Sequence, residues 1–235
     1  MIISIFNKLS YCKYYGKILF SNWTQTKESY SQHGEDILVE RLFPNGVRSF
    51  IDIGANDGVL FSNTYKFAKL GAKGICVEPS TKAFRKLKLN HLLHPKVKCL
   101  KVAISKKNAQ VYFKEDGYES TLSKVINEKM PGIEKVNSFT FDDLLKKFSY
   151  LSKVDMVSVD VEGHENEVFE GLNNPNFKTK LLIVESDKSN INNLLSINAL
   201  ENYIPYSTNG INAILLNKDY NFPKINLLPK GFVFC

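Results

Sequence analysis

Short apolar runs alternate with stretches of helical spacing from residue 50 onward, and this alternation narrows the fold more than any other feature of the chain. Ser49–Ile53, Lys73–Glu78, Val97–Ile104, Val154–Val161 and Lys180–Glu185 read as buried strands. Between them, Ser62–Leu70, a segment from Ser80 or Thr81 to about His91, Phe141–Phe148 and Glu165–Leu172 carry apolar residues at helical spacing. Strands that alternate with helices imply a mainly parallel sheet covered on both faces. The runs flanking Asn209-Gly210, within Tyr203–Leu216, predict a closing hairpin that adds an antiparallel edge. Gln110–Lys114 reads as a short extra strand, residues 115–137 as a polar loop or lid, and Asn190–Asn198 as a polar helix.

In such a sheet ligands bind beyond the carboxyl ends of the strands. Asp52, Glu78, Asp160 and Glu185 stand at four of those ends. After the first strand comes Asp52-Ile53-Gly54-Ala55-Asn56-Asp57-Gly58, whose glycines permit a tight turn and close approach of a ligand to backbone. The spacing is G-x-x-x-G, so neither the dinucleotide fingerprint nor a nucleoside-triphosphate loop is present. Acidic residues at the turn disfavour a polyanion and suit an ammonium or sulfonium charge. Backbone N–H groups there are expected to meet an amino-acid carboxylate. Glu78, at the next strand end, is placed to accept two ribose hydroxyls. A nucleoside carrying a zwitterionic amino acid satisfies all of these, which points to S-adenosylmethionine. The plain alternative is a capped glycine turn without a ligand.

The fourth strand end crowds Asp160, Glu162, His164 and Glu165. Three carboxylates so close raise one another's pKa or call for a cation. Three readings stand side by side. His164 or Asp160 is a general base; Asp160, Glu162 and Glu185 hold a divalent cation such as Mg2+ through oxygen ligands; or Glu162 and Glu165 cap the helix and His164 lies on the surface. The expected catalytic set is Asp160, His164 and Glu162, with no protein metal site assigned. Tyr112, Phe113, Tyr118, Ser120 and Thr121 suit a sugar-binding wall, and residues 114–137 are expected to set acceptor specificity.

Ser31-Gln32-His33-Gly34-Glu35-Asp36 resembles the S-Q-x-G-E-D signature of the FkbM-type methyltransferases. The Asp52–Gly58 turn with Ser62-Asn63-Thr64, the Gly74–Pro79 strand and Val159-Asp160-Val161-Glu162-Gly163-His164-Glu165 resemble that family's further motifs in the same order. The resemblance spans about residues 30–217. It implies a Rossmann-like class I methyltransferase fold, an α/β architecture with a mainly parallel seven-stranded sheet and an antiparallel C-terminal hairpin. It also implies S-adenosylmethionine as cofactor and O-methylation of a hydroxyl on a sugar, glycan or related metabolite. Carried over by position, Asp52, Gly54, Ala55, Asn56, Gly58, Asn63, Glu78 and Pro79 would bind the cofactor. Ala103 and Ile104 would flank the adenine. Gln32, Glu35 and Asp36 would close the site from the N-terminal side, although S-x-x-E/D is also a capping pattern.

The organisation expected is an N-terminal extension (1–29), a methyltransferase domain (30–217) and a C-terminal tail (218–235). Residues 1–25 read as a helix packed on the domain, with a membrane-surface role as the alternative. The formal charge is +7, with Lys spread along the chain and no basic run; a dedicated nucleic-acid tail is therefore not expected. Four cysteines without C-x-x-C spacing fit reduced thiols in the cytoplasm, and no apolar run is long enough to span a bilayer. The partner expected is a carbohydrate-like or small-molecule acceptor. The rivals are an RNA methyltransferase, motivated by the charge, and a non-catalytic carbohydrate-binding module. A nicotinamide dehydrogenase lacks the glycine spacing it needs.

Overall fold

A computed structural model describes residues 15–114, 133–151, 153–186 and 191–235. Helix α1 (Glu35–Leu42) leads into strand β1 (Ser49–Ile53). Then come α2 (Tyr65–Lys69), β2 (Lys73–Val77), α3 (Thr81–Asn90), β3 (Val97–Leu100), β4 (Ala103–Ile104), β5 (Ala109–Lys114) and β6 (Ile133–Phe139). The chain continues through α4 (Phe141–Lys147), β7 (Lys153–Val159), α5 (Glu165–Glu170), β8 (Lys178–Glu185) and α6 (Ile191–Leu195). It closes with β9 (Tyr203–Thr208), β10 (Asn212–Asn217) and β11 (Val233–Phe234).

The main sheet runs β11-β9-β10-β8-β7-β1-β2-β3. Pairs β3·β2, β2·β1, β1·β7 and β7·β8 are parallel, whereas β10 is antiparallel to both β8 and β9. The expected parallel sheet with a closing hairpin is therefore present. Among the described residues it has eight strands rather than seven, because the two-residue β11 adds an edge to β9.

Both faces are buried, so the central strands read as continuous apolar runs. Alternate side chains serve two cores. Ile51, Ile53, Ile75, Val77, Val157 and Val159 face α4 and α5, while Phe50, Cys76, Met156 and Ile183 face α1, α2 and α3. Polar side chains set the helix starts, as expected for α3: Ser80 Oγ accepts from the Ala83 N–H at 3.1 Å. Thr140 Oγ1 accepts from the Asp143 N–H to open α4.

Two expectations need correction. Val97–Ile104 is not one strand. β3 stays in the main sheet, and β4 leaves it to pair with β6 in a second sheet of order β4-β6-β5. Residues 133–137 are strand rather than loop, since β6 pairs antiparallel with β5 from Ala109↔Ser138 to Lys114↔Ile133. The expected lid contacts of Tyr118, Ser120 and Thr121, together with Cys12, lie outside the described residues.

Helical residues 15–24 pack on the body of the protein. Trp23 Nε1 donates to the Leu89 and Asn90 carbonyls, and Lys69 Nζ donates to the Asn22 and Trp23 carbonyls. The last residues are equally tied in: Phe222, Ile225, Leu228 and Phe232 pack against the α1 side of the core. Among the described residues no helix is long and apolar enough to cross a membrane.

Candidate active site

A cavity of 370 Å³ opens at the carboxyl ends of β2, β1, β7 and β8, the place the topology favours for ligands. The strand order puts Glu78, Asp52, Asp160 and Glu185 side by side along it. Neighbouring strands lie about 4.8 Å apart, so this row spans about 14 Å from the β2 end to the β8 end.

The first-strand motif folds into a self-satisfied turn. Gly54 and Ala55 donate their N–H groups to Val77 O, and Asn56 N–H donates to Glu78 Oε2 at 2.9 Å. The expectation that these amides are free for a ligand carboxylate therefore fails. What replaces them is a set of side-chain amides and hydroxyls lining the cavity: Gln32, Ser62, Asn63, Ser158 and Asn212. Gly54, at φ +88°, is required for another reason: a Cβ there would sit 1.7 Å from Asp160 O. Gly58, by contrast, does not line the cavity. It makes room behind the turn for Leu87 and His91.

The Ser62-Asn63-Thr64 segment divides its work. Ser62 Oγ accepts from the Tyr65 N–H and starts α2, and Asn63 Nδ2 donates to Ser158 Oγ on β7. Thr64 Oγ1 donates to Asp52 Oδ2 at 2.6 Å. Burial pushes the Asp52 carboxyl up to about 6 despite that hydrogen bond. A cation beside it would favour its charged form. Glu78 is likewise buried and accepts from Asn56 N–H and Ser80 N–H, one on each oxygen. Those bonds fix the carboxyl's direction.

At the β7 end, Asp160 continues the ladder by donating its N–H to Ile53 O. Its carboxyl is hydrogen-bonded to Glu185, whose carboxyl also accepts from the Glu162 backbone N–H. Burial raises both acids, Asp160 to about 7 and Glu185 to about 8, and the charge of Asp160 raises Glu185 further. Both shifts favour the protonated forms, and the Asp160–Glu185 hydrogen bond lowers Asp160 while raising Glu185, the pattern of a pair in which Glu185 is the donor. Asp160, Glu162 and Glu185 each place a carboxylate oxygen within 4.8 Å of the others. Hard cations accept such oxygen donors, so among the described residues these three form the group that could hold one.

Glu162 lies at φ +54° and lines the cavity. The two other non-glycine residues with positive φ among the described residues, Asn56 and Phe61, line it too. Such backbone costs about 1–3 kcal/mol each and gathers at functional sites.

The structure brings together Gln32, Asp52, Gly54, Ala55, Asn56, Asn63, Glu78, Pro79, Asp160 and Glu162 around one cavity. It sets others apart. His164 does not line the cavity. After the turn at Glu162 and Gly163 its ring meets Ser105 Oγ at 3.0 Å and Glu167 at 3.5 Å. Ala103 and Ile104 are buried core residues, because β4 has left the main sheet. Glu35 and Asp36 are fully buried and structural. Glu35 accepts from Asn209, Asn212 and the His33 N–H, and Asp36 accepts from Ser29, Ser31 and the Tyr30 N–H. Glu165 does not cap α5, whose start has no side-chain cap; it ties the preceding turn, accepting from the Val161 and Gly163 N–H groups. Ser158, Leu60, Phe61, Ile211 and Asn212 line the cavity without having been singled out. Leu60-Phe61, two large apolar residues between the glycine turn and a polar segment, was the signal available.

The model of the methyltransferase FkbM domain matches residues 52–222, more than half of the chain. The chain belongs to the FkbM methyltransferase family. No curated protein sequence matches it. Among solved structures, the METTL16 methyltransferase domain is 15% identical, with 79% of this chain and 66% of that one covered and a TM-score of 0.48. A precorrin-6y C5,15-methyltransferase from Geobacter metallireducens is 10% identical, with 81% and 92% covered and a TM-score of 0.45. The ribosomal protein L11 methylase from Lactobacillus delbrueckii subsp. bulgaricus is 11% identical, with 78% and 77% covered and a TM-score of 0.45. This FkbM-family chain has an α/β architecture with a mostly parallel main sheet.

Proposed function

We propose that the protein is an S-adenosylmethionine-dependent O-methyltransferase acting on a hydroxyl of a sugar, glycan or related metabolite. The observation that carries the reading is the row of carboxyls across the strand ends. Glu78 suits a ribose diol, buried Asp52 suits an ammonium group, and the Asp160–Glu185 pair stands on the far side. Pro79 and Val161 offer apolar surface to a base, and Gln32, Ser62 and Asn63 offer polar groups to a carboxylate.

When bound, the cofactor supplies a methyl group on a positively charged sulfur. Asp160 then acts as the base. It takes the acceptor's hydroxyl proton as the new oxygen–carbon bond forms and the carbon–sulfur bond breaks. Glu185, donating to Asp160, holds its carboxylate in place. His164 has no part in this scheme, since its ring is engaged by Ser105 and Glu167. The same reading suits a reducing cytoplasm, where the buried thiol of Cys76 and the half-buried Cys99 stay free.

The test is a calorimetric titration with S-adenosylmethionine, followed by S-adenosylhomocysteine formation over a panel of sugar hydroxyls. Wild type binds. Glu78→Ala weakens binding at least tenfold. Asp160→Asn loses less cofactor affinity than Glu78→Ala and turns over at least 100-fold more slowly. EDTA leaves turnover unchanged. Absence of cofactor binding to folded protein would overturn the reading; loss of turnover in EDTA restored by magnesium would replace the hydrogen-bonded pair with a metal site.

A further inference from the structure

One part of the cavity lining has its own chemistry. Phe61, Leu60 and Ile211 line it and are exposed by 56%, 44% and 42%. Each is a large apolar side chain held in water at the mouth of a polar cavity. Phe61 also holds a left-handed backbone, φ +58°, which a bulky L-residue rarely adopts. Its position is fixed by a parallel bridge to Ser31, next to Gln32, which lines the same rim. Glycine would relieve that backbone, so the aromatic ring is retained at an energetic cost.

The charge of the cavity is one-sided. Asp52, Glu78, Asp160, Glu162 and Glu185 line it, and no Lys or Arg does among the described residues. The molecule as a whole carries +7, so the acidity is local to the site. A phosphorylated or polyanionic acceptor would bring negative charge against these carboxylates with no cation to meet it, which is discrimination by repulsion.

Resting on the methyltransferase reading, we propose that the acceptor is an uncharged hydroxyl compound with an apolar face. Phe61, with Leu60 and Ile211, is the platform that selects it. Ile211 ties this apolar surface to the Glu185 end of the row, since its carbonyl accepts from the Ser186 N–H at 2.8 Å. A sugar ring or alkyl chain lies against the Phe61 face while its hydroxyl reaches Asp160. Aromatic–apolar contact supplies the affinity, and the carboxylates exclude anions.

The test uses the full chain saturated with S-adenosylhomocysteine, with ligand-observed NMR as readout. The probes are octyl glucoside below its micelle concentration, glucose 6-phosphate and a short single-stranded RNA. The expected result is octyl glucoside binding that weakens at least tenfold in Phe61→Ala and Phe61→Gly. Glucose 6-phosphate and RNA do not displace it. Phe61→Gly melts at or above the wild-type temperature, so its loss of binding is not a loss of folding. Binding of the glucoside equal in wild type and both variants, no glucoside binding at all, or displacement by either anion would overturn the proposal. Calorimetry on the same sample separates the failures: no S-adenosylhomocysteine binding defeats the cofactor reading, whereas cofactor binding without glucoside binding defeats this inference alone.

Discussion

At the scale of single residues, the site is a problem of keeping carboxyls close together. Asp160 and Glu185 are both raised, by burial first, with the charge of Asp160 raising Glu185 and the hydrogen bond from Glu185 lowering Asp160. A base that must be deprotonated then works only as pH climbs through its raised pKa, so turnover should rise between about pH 6 and 8 and level off above. Glu185→Gln keeps a neutral donor toward Asp160, whereas Glu185→Ala removes it. Because that hydrogen bond lowers the Asp160 pKa, the rising limb should stay within about 0.3 pH unit in the Gln variant and move at least half a pH unit to higher pH in the Ala variant, with cofactor affinity within twofold; a limb that stays in place in both would separate Glu185 from the base. The carboxylates at strand ends were legible in the sequence because strands end where apolar runs do. Gly54 was legible as a necessity, although its reason is the Asp160 carbonyl and not a ligand. His164 was not legible. Whether a side chain after Asp160 faces the cavity depends on the positive φ of Glu162 and Gly163, which no spacing reveals.

Among the elements, the segment before α1 shows how a short motif can be structural and still shape a site. Glu35 is buried at the start of α1 and accepts from Asn209 and Asn212, side chains 174 and 177 residues away. It thereby pins the β9–β10 turn, whose Ile211 and Asn212 line the cavity rim. Glu35→Ala strands these donors and the His33 N–H without a partner. Unsatisfied buried groups cost about 1–3 kcal/mol each when nothing relaxes. The variant should lose roughly 2–4 kcal/mol of unfolding free energy in urea. Faster amide exchange should be confined to residues 209–212. Unchanged stability would show that water replaces the carboxyl. Sequence pattern offered capping or site closure for this motif, and the structure makes it a long-range clamp. The β9–β10 hairpin itself was legible from Asn209-Gly210 between apolar runs. β6 was not: only Val136 and Ser138 point inward and are buried, so its alternation carries a single apolar residue. The split of β3 from β4 was equally hidden, since both halves are apolar and only pairing separates them.

For the whole molecule, the same carboxyls oppose folding when no ligand is bound. Asp52, Asp160 and Glu185 have folded-state pKa values of about 6, 7 and 8. These lie above the ordinary carboxyl range near 4. A group raised on folding stabilises fully below its unfolded pKa and loses that contribution as pH rises through the folded one. The cofactor-free protein should therefore lose stability between about pH 4 and 8 through these three groups. A ligand carrying ammonium and sulfonium charge favours their ionised forms, so it binds more tightly as they ionise. At 100 times its Kd a ligand adds about 2.7 kcal/mol, and a chain of this size gains about 2–4 °C per kcal/mol. At a fixed S-adenosylmethionine concentration, thermal melts should show a rise of about 5–10 °C at pH 8 and a distinctly smaller one at pH 5.5. Glu78→Ala, at least tenfold weaker, should show no more than about half that rise at pH 8. An increment that is equal at both pH values would mean that the buried acids do not sense the ligand's charge, and the cationic end of the cofactor would then have to lie elsewhere than beside Asp52 and Asp160.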